Sequence, residues 1–196
     1  MKAMKLELGC GNNAREMPDY ENICIDVIKT PIVTLVSNLG FDSSWTYKYE
    51  NSVDLVNCYD FLEHIPKQVY LPQYQWNEEK SEWDFFNNVS FKTIYPFVTL
   101  MNDIWKVLKH KGILYIETPN SEQAYLRDPT HCNRITEDVW HYFQKDDNLY
   151  FSTGLIKCNF ELVKNEFRKY KWTDKDIMCT TLKAIKEDTK SEKVLI

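Results

Sequence analysis

The chain begins with a short apolar strand that leads directly into a glycine turn, in the stretch KLELGCGNNA at residues 5–14. Gly9 and Gly11, followed by Ala14, have the spacing of a nucleotide-binding turn, in which glycines allow a tight bend and a close approach of the backbone to a ligand. In α/β proteins such a turn follows the first strand of a parallel sheet. The stretch therefore predicts an α/β fold with a nucleotide-like ligand at the carboxyl end of the first strand.

Strand-like and helix-like stretches alternate along most of the chain. Apolar and β-branched runs predict further strands at 21–27, 31–39, 53–59, 112–120, 160–170 and 177–185. A helix is predicted at 97–109, because Leu100, Ile104 and Leu108 recur at helical spacing. Such alternation is typical of a mainly parallel α/β sheet that binds its ligands at the carboxyl ends of the strands.

Composition limits the class of protein. The 196 residues, 43% hydrophobic and 27% charged, suit one soluble domain. A formal net charge of −5 disfavours bulk nucleic acid as a partner without excluding it. No apolar run has the roughly 20 residues that span a bilayer, the first residues lack the apolar core of a signal peptide, and the six cysteines include no C-x-x-C pair. We therefore expect a cytoplasmic protein with free thiols and no membrane partner.

Two features argue against a dinucleotide as the ligand. Eleven residues, 12 to 22, follow Gly11 before the next strand, and Pro18 interrupts them, so the helix that usually stabilises a pyrophosphate has room for little more than a turn or two. Glu7 lies beside the turn, where it would repel a pyrophosphate but tolerate a sulfonium or an ammonium. Asp26, at the end of the predicted second strand, suits the hydroxyls of a ribose.

Each of these acids also has a structural interpretation. Glu7 is alternatively an exposed strand residue or an acceptor for backbone N–H groups, and Asp26 is alternatively a residue that initiates a turn. With the functional interpretation, the turn favours a nucleoside that carries positive charge. An NAD-dependent oxidoreductase that uses the same glycines stays as an alternative.

Four stretches in order resemble the motifs of the class I S-adenosylmethionine-dependent methyltransferases. They are LELGCGN, ENICIDV, VDLVNCYDFLEHI and LMNDIWKVLKHKGILYIETPN, and the resemblance covers about residues 4–143. It implies a Rossmann-like, seven-stranded, mostly parallel sheet with helices on both faces and an antiparallel C-terminal hairpin, within one domain over residues 1–196. It also implies an enzyme that transfers a methyl group and uses S-adenosylmethionine as its cofactor.

The same resemblance assigns cofactor-binding roles to nine residues. They are Glu7, Gly9 and Gly11 at the methionine end, Asp26 at the ribose, Asn38 and Leu39 at the adenine, and Cys58, Tyr59 and Asp60 beside the methionine moiety and the methyl group. The sequence departs from the family at His110, Lys111 and Gly112, where Pro-Gly-Gly is usual. The short connection after the glycine turn also leaves the methionine carboxylate without an evident binding partner.

The stretch DPTHCNRITEDVWHYF, Asp128–Phe143, resembles a segment found in a subset of these methyltransferases. We predict that Asp128 and His131 act together in catalysis, with the carboxylate orienting an imidazole that accepts a proton. The alternatives are a turn followed by a helix that begins at Thr136, and a metal set of Asp128, His131 and His141. We predict no metal site, and we expect His64 to have a packing or hydrogen-bonding role.

Selection of the methyl acceptor is expected from two segments, 66–96 and 121–147, at the carboxyl edge of the sheet. The first is rich in aromatic residues and is interpreted as part of a substrate-side cap, with a dimer contact and a small local core as alternatives. We expect transfer to an O or N atom of a small molecule, sugar or peptide. A homodimer, and a non-catalytic cofactor-binding subunit that needs a partner chain, are compatible with the same features.

Overall fold

The computed structural model describes residues 2–73, 75–77, 82–84, 90–146, 154–169 and 176–186. Its strands are β1 Ala3–Leu8, β2 Tyr20–Asp26, β3 Leu35–Val36, β4 Val53–Tyr59, β5 Val69–Gln73, β6 Gln75–Asn77, β7 Glu82–Asp84, β8 Ser90–Ile94, β9 Leu108–Pro119, β10 Phe160–Lys169 and β11 Asp176–Ala184. Its α-helices are α1 Thr46–Tyr49, α2 Pro96–Val107 and α3 Glu122–Leu126, and 3-10 helices span Leu62–His64 and Glu137–Phe143.

Seven strands form one sheet in the order β10-β11-β9-β4-β1-β2-β3. Strands β3, β2, β1, β4 and β9 pair in parallel, and β11 runs antiparallel to both β9 and β10. This confirms the predicted mostly parallel α/β sheet with an antiparallel pair at the end of the chain. The carboxyl ends of β1, β2 and β4 therefore meet at one edge, where a Rossmann-like sheet binds its ligands.

The loops and strand bounds differ from the sequence-based prediction in three places. Between Gly11 and Tyr20 the chain forms turns and loop, with no helix, since residues 12–19 include Pro18 and are too few for a packed crossover helix. The predicted strand 31–39 shrinks to β3, because a turn in which Val33 N donates to Thr30 O occupies its first residues. Strand β9 begins directly after α2, several residues before the predicted start.

The early start of β9 comes with a local irregularity around the unusual His110-Lys111-Gly112 turn. Pairing with β4 passes from Leu108 opposite Val53 to Ile113 opposite Leu55, so residues 109–112 form an excursion from the ladder. Lys111 has a left-handed φ of 66°, which a bulged turn accommodates. This excursion lies at the amino end of β9, away from the carboxyl edge of the sheet.

The core joins α2, the sheet and the segment that follows the D-P-T-H stretch. Leu100, Ile104 and Val107 recur on one face of α2 and are fully buried. Trp140 and Phe143 of the second 3-10 helix are also buried, and the Phe143 ring meets the Phe97 ring edge-on at 5.8 Å. Burial of these aromatic side chains anchors the described part of this segment, residues 121–146, against the domain.

The aromatic segment 66–96 forms two small antiparallel ladders, β5 with β8 and β6 with β7. Tyr70 and Phe91, on the first ladder, are largely exposed. Tyr74, Phe85 and Phe86 lie outside the described residues. The segment is therefore an extended β arm in the part of the chain that the structure describes, and its predicted role as a substrate-side cap stays a prediction.

The cysteine thiols and the length of the helices bear on the remaining expectations. All six cysteines are free, as expected, and Cys132 is the exposed one among them. None of the described helices is long and apolar enough to cross a bilayer.

Candidate active site

Two neighbouring pockets lie where β1, β4 and β9 end. The first, of about 370 Å³, is the glycine-loop cleft, lined by Glu7, Leu8, Gly9, Cys10, Gly11, Asn12, Asn13, Arg15, Tyr59 and Asp60. The second, of about 440 Å³, is the histidine pocket, lined by Asp60, Glu63, His64, Pro119, Ala124, Arg127, Asp128, Pro129, His131 and Ile177. Asp60 borders both, so the two pockets are adjacent at the end of β4.

Glu7 holds the glycine loop from inside. Its buried carboxylate accepts a hydrogen bond from Lys5 Nζ at 2.8 Å, and both of its oxygens lie 3.1 Å from the backbone N of Arg15. Lys5 also donates to the backbone oxygen of Arg15. The Lys5 ammonium offsets the negative charge of Glu7, which weakens the sequence-based argument that Glu7 alone selects a cationic ligand.

Asp26 fixes the loop from the neighbouring strand. One carboxylate oxygen accepts a hydrogen bond from the backbone N of Gly11 at 2.9 Å, and the other accepts from the backbone N of Ile28 at 3.0 Å. The residue is largely buried at the end of β2. An ionised carboxylate has about four acceptor positions, so Asp26 keeps acceptor capacity for a ligand beside Gly11.

The two glycines serve different purposes. Both have left-handed backbone conformations, with φ of 68° at Gly9 and 53° at Gly11. A Cβ at Gly9 would overlap the ring of Phe61, whereas a Cβ at Gly11 would meet no atom within 4 Å. Gly9 is thus required by packing against Phe61, and Gly11 leaves open space in the cleft.

This difference predicts unequal costs for two matched substitutions. Gly11→Ala should lower the free energy of unfolding by about 1 to 2 kcal/mol, the strain of a side chain in the left-handed region. Gly9→Ala should lower the free energy of unfolding by about 1 to 3 kcal/mol more than Gly11→Ala does, because the added methyl group overpacks against Phe61. Urea denaturation of the two variants measures the gap, and equal losses would contradict the assigned role of Gly9.

Arg15 supplies positive charge to the cleft, although the sequence analysis did not identify it. Its guanidinium carbon lies 3.6 Å from the centroid of the Tyr59 ring, and its Nη1 lies 3.4 Å from Glu117 Oε1. Half of the side chain stays exposed. The guanidinium is therefore held in place while a charged face stays available to a ligand.

Glu117, near the end of β9, is a second residue that the motifs did not reveal. It is buried and accepts a hydrogen bond from the Tyr115 hydroxyl at 2.8 Å. It also pairs with Arg15 and with Arg168 of β10. Its main-chain oxygen accepts from the backbone N of Asp60 at 2.9 Å. Glu117 therefore fixes residues on both sides of the cleft.

Several of the cofactor residues assigned by resemblance meet at this cleft, and others do not. Glu7, Gly9, Gly11, Tyr59 and Asp60 line it, and Asp26 reaches it through its bond to Gly11. The remaining three, Asn38, Leu39 and Cys58, are not among the lining residues. Cys58 and Leu39 are buried in the core, so any contact from them to a cofactor has to come from the main chain.

The histidine pocket is assembled by main-chain bonds between distant segments. The backbone N–H groups of Cys132 and Asn133 both donate to the backbone oxygen of Glu63, each at 2.9 Å. These bonds join the D-P-T-H stretch to the 3-10 helix that follows β4. As a result, the rings of His64 and His131 meet edge-on, with their centroids 4.8 Å apart.

The hydrogen bonds of the two histidines define their neutral tautomers. His131 Nδ1 lies 2.9 Å from the backbone oxygen of Tyr125, which can only accept, so Nδ1 carries the proton. His64 Nδ1 lies 3.0 Å from the Thr130 hydroxyl, which already donates to Asp128 at 2.6 Å and so accepts from the ring. In both neutral rings Nε2 therefore keeps a lone pair.

Asp128 is placed differently from the pair that the sequence predicts. Its Oδ1 accepts from the backbone N and the hydroxyl of Thr130, as in the alternative turn interpretation. Its Oδ2 lies 3.9 Å from His131 Nε2, beyond hydrogen-bond distance. The Tyr125 carbonyl, and not Asp128, therefore orients His131, and a catalytic role for Asp128 and His131 stays a proposal.

Glu63 is the most unusual group in the pocket. The residue is 1% exposed, and neither carboxylate oxygen has a hydrogen-bond partner. Burial raises the pKa of this carboxyl to about 8, with Asp60 and Asp128 adding to the effect. Its Oε1 lies 3.9 Å from His131 Nε2. The methyltransferase-like stretch VDLVNCYDFLEHI contains Glu63 and His64, but only their contact with the D-P-T-H stretch identifies them as parts of a site.

Comparisons with known proteins give a clear likeness in fold and none in sequence. No family model and no curated protein matches the chain. The N-methyltransferase NodS from Bradyrhizobium japonicum, in complex with S-adenosyl-L-homocysteine, has a TM-score of 0.56 and 14% identity, over 93% of this chain and 78% of that chain. An S-adenosylmethionine-dependent methyltransferase from Methanosarcina mazei has a TM-score of 0.55 and 13% identity, over 95% and 94% of the two chains.

A third similar structure is that of an enzyme whose acceptor is a ribosomal RNA. It is a 16S rRNA (adenine(1408)-N(1))-methyltransferase from Catenulisporales acidiphilia, with a TM-score of 0.54 and 11% identity over 94% of this chain and 86% of that chain. Together with the sheet order, these likenesses show that the chain has the fold of the class I S-adenosylmethionine-dependent methyltransferases. At such low identity, fold alone does not define an acceptor.

Proposed function

We propose that the protein is an S-adenosylmethionine-dependent methyltransferase that binds its cofactor in the glycine-loop cleft and its acceptor in the histidine pocket. The observation that carries the proposal is the meeting of Gly11, Asp26 and Asp60 at the carboxyl ends of β1, β2 and β4, in a sheet with methyltransferase order. Ligands of open α/β sheets bind at this edge. The shared border at Asp60 supports transfer between the two pockets.

The residues of the cleft fit the parts of this cofactor. The open space beside Gly11 leaves room for the amino acid portion, and the acceptor capacity of Asp26 suits two ribose hydroxyls. Arg15 provides the positive charge that a carboxylate needs, since no helix N-terminus follows the glycine turn. Asn38 and Leu39 stay our candidates for the adenine side of the site.

S-adenosylmethionine, when bound, supplies a methyl group that is already activated by its sulfonium. The protein therefore has to orient the acceptor and exclude water. Pro119, Ala124 and Ile177 give the histidine pocket apolar walls for this purpose. His131 Nε2, with its lone pair, is placed to accept a proton from an acceptor hydroxyl or amine when no other ligand holds it.

The acceptor that fits best is a small molecule, sugar or peptide that presents an O or N atom. A pocket of about 440 Å³ admits a compact group. Two acids, Asp60 and Asp128, border it together with one arginine, Arg127, so it does not favour the phosphates of a nucleic acid. The exposed aromatic residues of the β arm, Tyr70 and Phe91, support a cap over the acceptor or a homodimer contact.

Calorimetric titration of the purified chain tests the proposal first. We expect S-adenosylmethionine and S-adenosylhomocysteine to bind with one site per chain, and NAD to give no saturable heat. A preference for NAD would support the oxidoreductase alternative and overturn the proposal. If the two sulfur nucleosides bind but no O- or N-acceptor yields S-adenosylhomocysteine unless a second protein is added, the chain is the non-catalytic subunit instead.

A further inference from the structure

We propose that Glu63, His64 and His131 form a binding site for a divalent transition-metal ion in the histidine pocket. One ligand atom from each residue lies within 4.8 Å of the other two. Two imidazoles and one carboxylate are a common ligand set for Zn²⁺ and for similar first-row ions with open coordination positions. This inference deepens the proposed function, because the site would lie where the acceptor binds.

The histidines have the hydrogen bonds that metal-binding imidazoles usually have. Metal-binding histidines donate their second N–H to a carbonyl or a carboxylate, which fixes the tautomer. His131 donates Nδ1–H to the Tyr125 carbonyl, and His64 donates to Thr130, which is itself bonded to Asp128. Each ring is thus held with Nε2 as its lone-pair nitrogen, the form that binds a cation.

Glu63 provides the independent observation. A carboxyl group that is 1% exposed and has no hydrogen-bond partner on either oxygen is costly to bury even when it holds a proton, unless another group compensates it. No cationic side chain is recorded within 4 Å of Glu63 in the described part of the chain, apart from the His131 ring at 3.9 Å. A divalent cation between Glu63 and the two rings would supply that compensation.

The geometry needs only a modest adjustment. Bonds of about 2.1 Å in a tetrahedral site place ligand atoms roughly 3.4 Å apart. Glu63 Oε1 and His131 Nε2 are 3.9 Å apart, and the whole set lies within 4.8 Å, so movements of about 1 Å by side chains close the site. Asp128 Oδ2, 3.9 Å from His131 Nε2, is near enough to serve as a fourth ligand.

The choice of ion follows from the donor atoms. Imidazole nitrogen favours Zn²⁺, Co²⁺ or Fe²⁺ over Mg²⁺, which prefers an all-oxygen shell. When Asp128 does not ligate the ion, the fourth position would be open to an oxygen of the acceptor, which favours an acceptor with a hydroxyl. The site also differs from the set of Asp128, His131 and His141, because His141 is not part of the cluster.

Metal binding and proton acceptance by His131 exclude each other, since both use the lone pair of Nε2. In the metal-bound protein His131 is a ligand, and the cation takes over the task of making an acceptor hydroxyl more acidic. The two roles of His131 are therefore alternatives, and metal binding replaces proton acceptance at Nε2.

The test is titration of chelator-treated, desalted protein with Zn²⁺, and with Co²⁺ for its spectrum. We expect one ion per chain and a Co²⁺ spectrum without the intense thiolate charge-transfer band. Glu63→Gln and His131→Gln should each weaken Zn²⁺ binding by at least about 100-fold, and Thr130→Val by roughly 10-fold to 100-fold. Circular dichroism of each variant establishes that it is folded.

Two matched controls complete the design. His141→Gln removes a histidine outside the cluster, and Cys132→Ser removes the exposed thiol beside it, and both should bind Zn²⁺ like the wild type. Absence of saturable binding, unchanged affinity in folded Glu63→Gln, or loss of the site in Cys132→Ser would overturn the inference. Calorimetry with S-adenosylhomocysteine on the metal-free protein tests the proposed function separately. If the protein binds this nucleoside but no metal, only the metal site is overturned. If it binds metal but not the nucleoside, only the proposed function is overturned.

Discussion

Replacing Glu7 by alanine is expected to lower the free energy of unfolding by about 3 to 5 kcal/mol, which is the largest effect we predict for a single substitution at the site. The reason is Lys5, which is 1% exposed and donates to the Glu7 carboxylate at 2.8 Å. Without Glu7 the ammonium stays buried with only the Arg15 main-chain oxygen as a partner. Chemical denaturation at neutral pH measures the loss.

A double substitution separates pairing from loop geometry. The variant with Lys5→Met and Glu7→Leu removes both charges and should recover much of the stability, because buried ion pairs are replaceable by apolar groups of similar size. It should not recover cofactor affinity fully, since the backbone N of Arg15 loses its acceptor. If the free energy of unfolding of Glu7→Ala were within about 1 kcal/mol of the wild-type value, Lys5 would reach water in the variant and the ion pair would not be essential.

Asp26→Ala is expected to weaken binding of S-adenosylhomocysteine by at least about 100-fold. Two hydrogen bonds from ribose hydroxyls to a carboxylate are worth about 1.5 to 3 kcal/mol each. The substitution also releases the backbone N of Gly11, so the loop beside the ligand loses a fixed point. Calorimetric titration measures the change in affinity.

Asp54→Ala is the matched control for Asp26→Ala. Asp54 also accepts two hydrogen bonds, from the backbone N of Met4 at 2.8 Å and from Lys109 Nζ at 2.7 Å, but it lies at the amino end of β4, away from both pockets. Both variants should lose comparable stability, and only Asp26→Ala should lose cofactor affinity. Equal affinities in the two variants would mean that Asp26 supports the loop alone and does not touch the ribose.

The sequence predicts the sheet better than it predicts the contacts between its loops. Apolar runs indicated β1, β2, β4 and β9, because burial in a parallel sheet demands continuous apolar sequence. Lys5 and Glu7 are two positions apart and share a strand face, so the alternation of side chains along a strand also predicts their pairing. The shortness of β3 was not evident, because the local turn at Thr30 and Val33 competes with an otherwise strand-like composition.

The histidine pocket was the least predictable part of the molecule. Glu63 and His131 are 68 residues apart in sequence, and the bonds that join their segments run from backbone N–H groups of Cys132 and Asn133. Main-chain bonds leave no trace in residue type, so no motif indicates them. The orphaned carboxylate of Glu63 likewise depends on burial, which only the packed structure defines.

Glu117 has a consequence for redesign of the protein. Its carboxylate joins Arg15 of the glycine loop to Arg168 of β10, the strand at the far edge of the sheet. A chimera that replaced the last two strands with those of another protein of the same fold would remove one of the two arginines and leave a buried carboxylate with only one cationic partner. Such a graft should therefore carry an arginine at the position of Arg168, whatever the rest of the new hairpin sequence is.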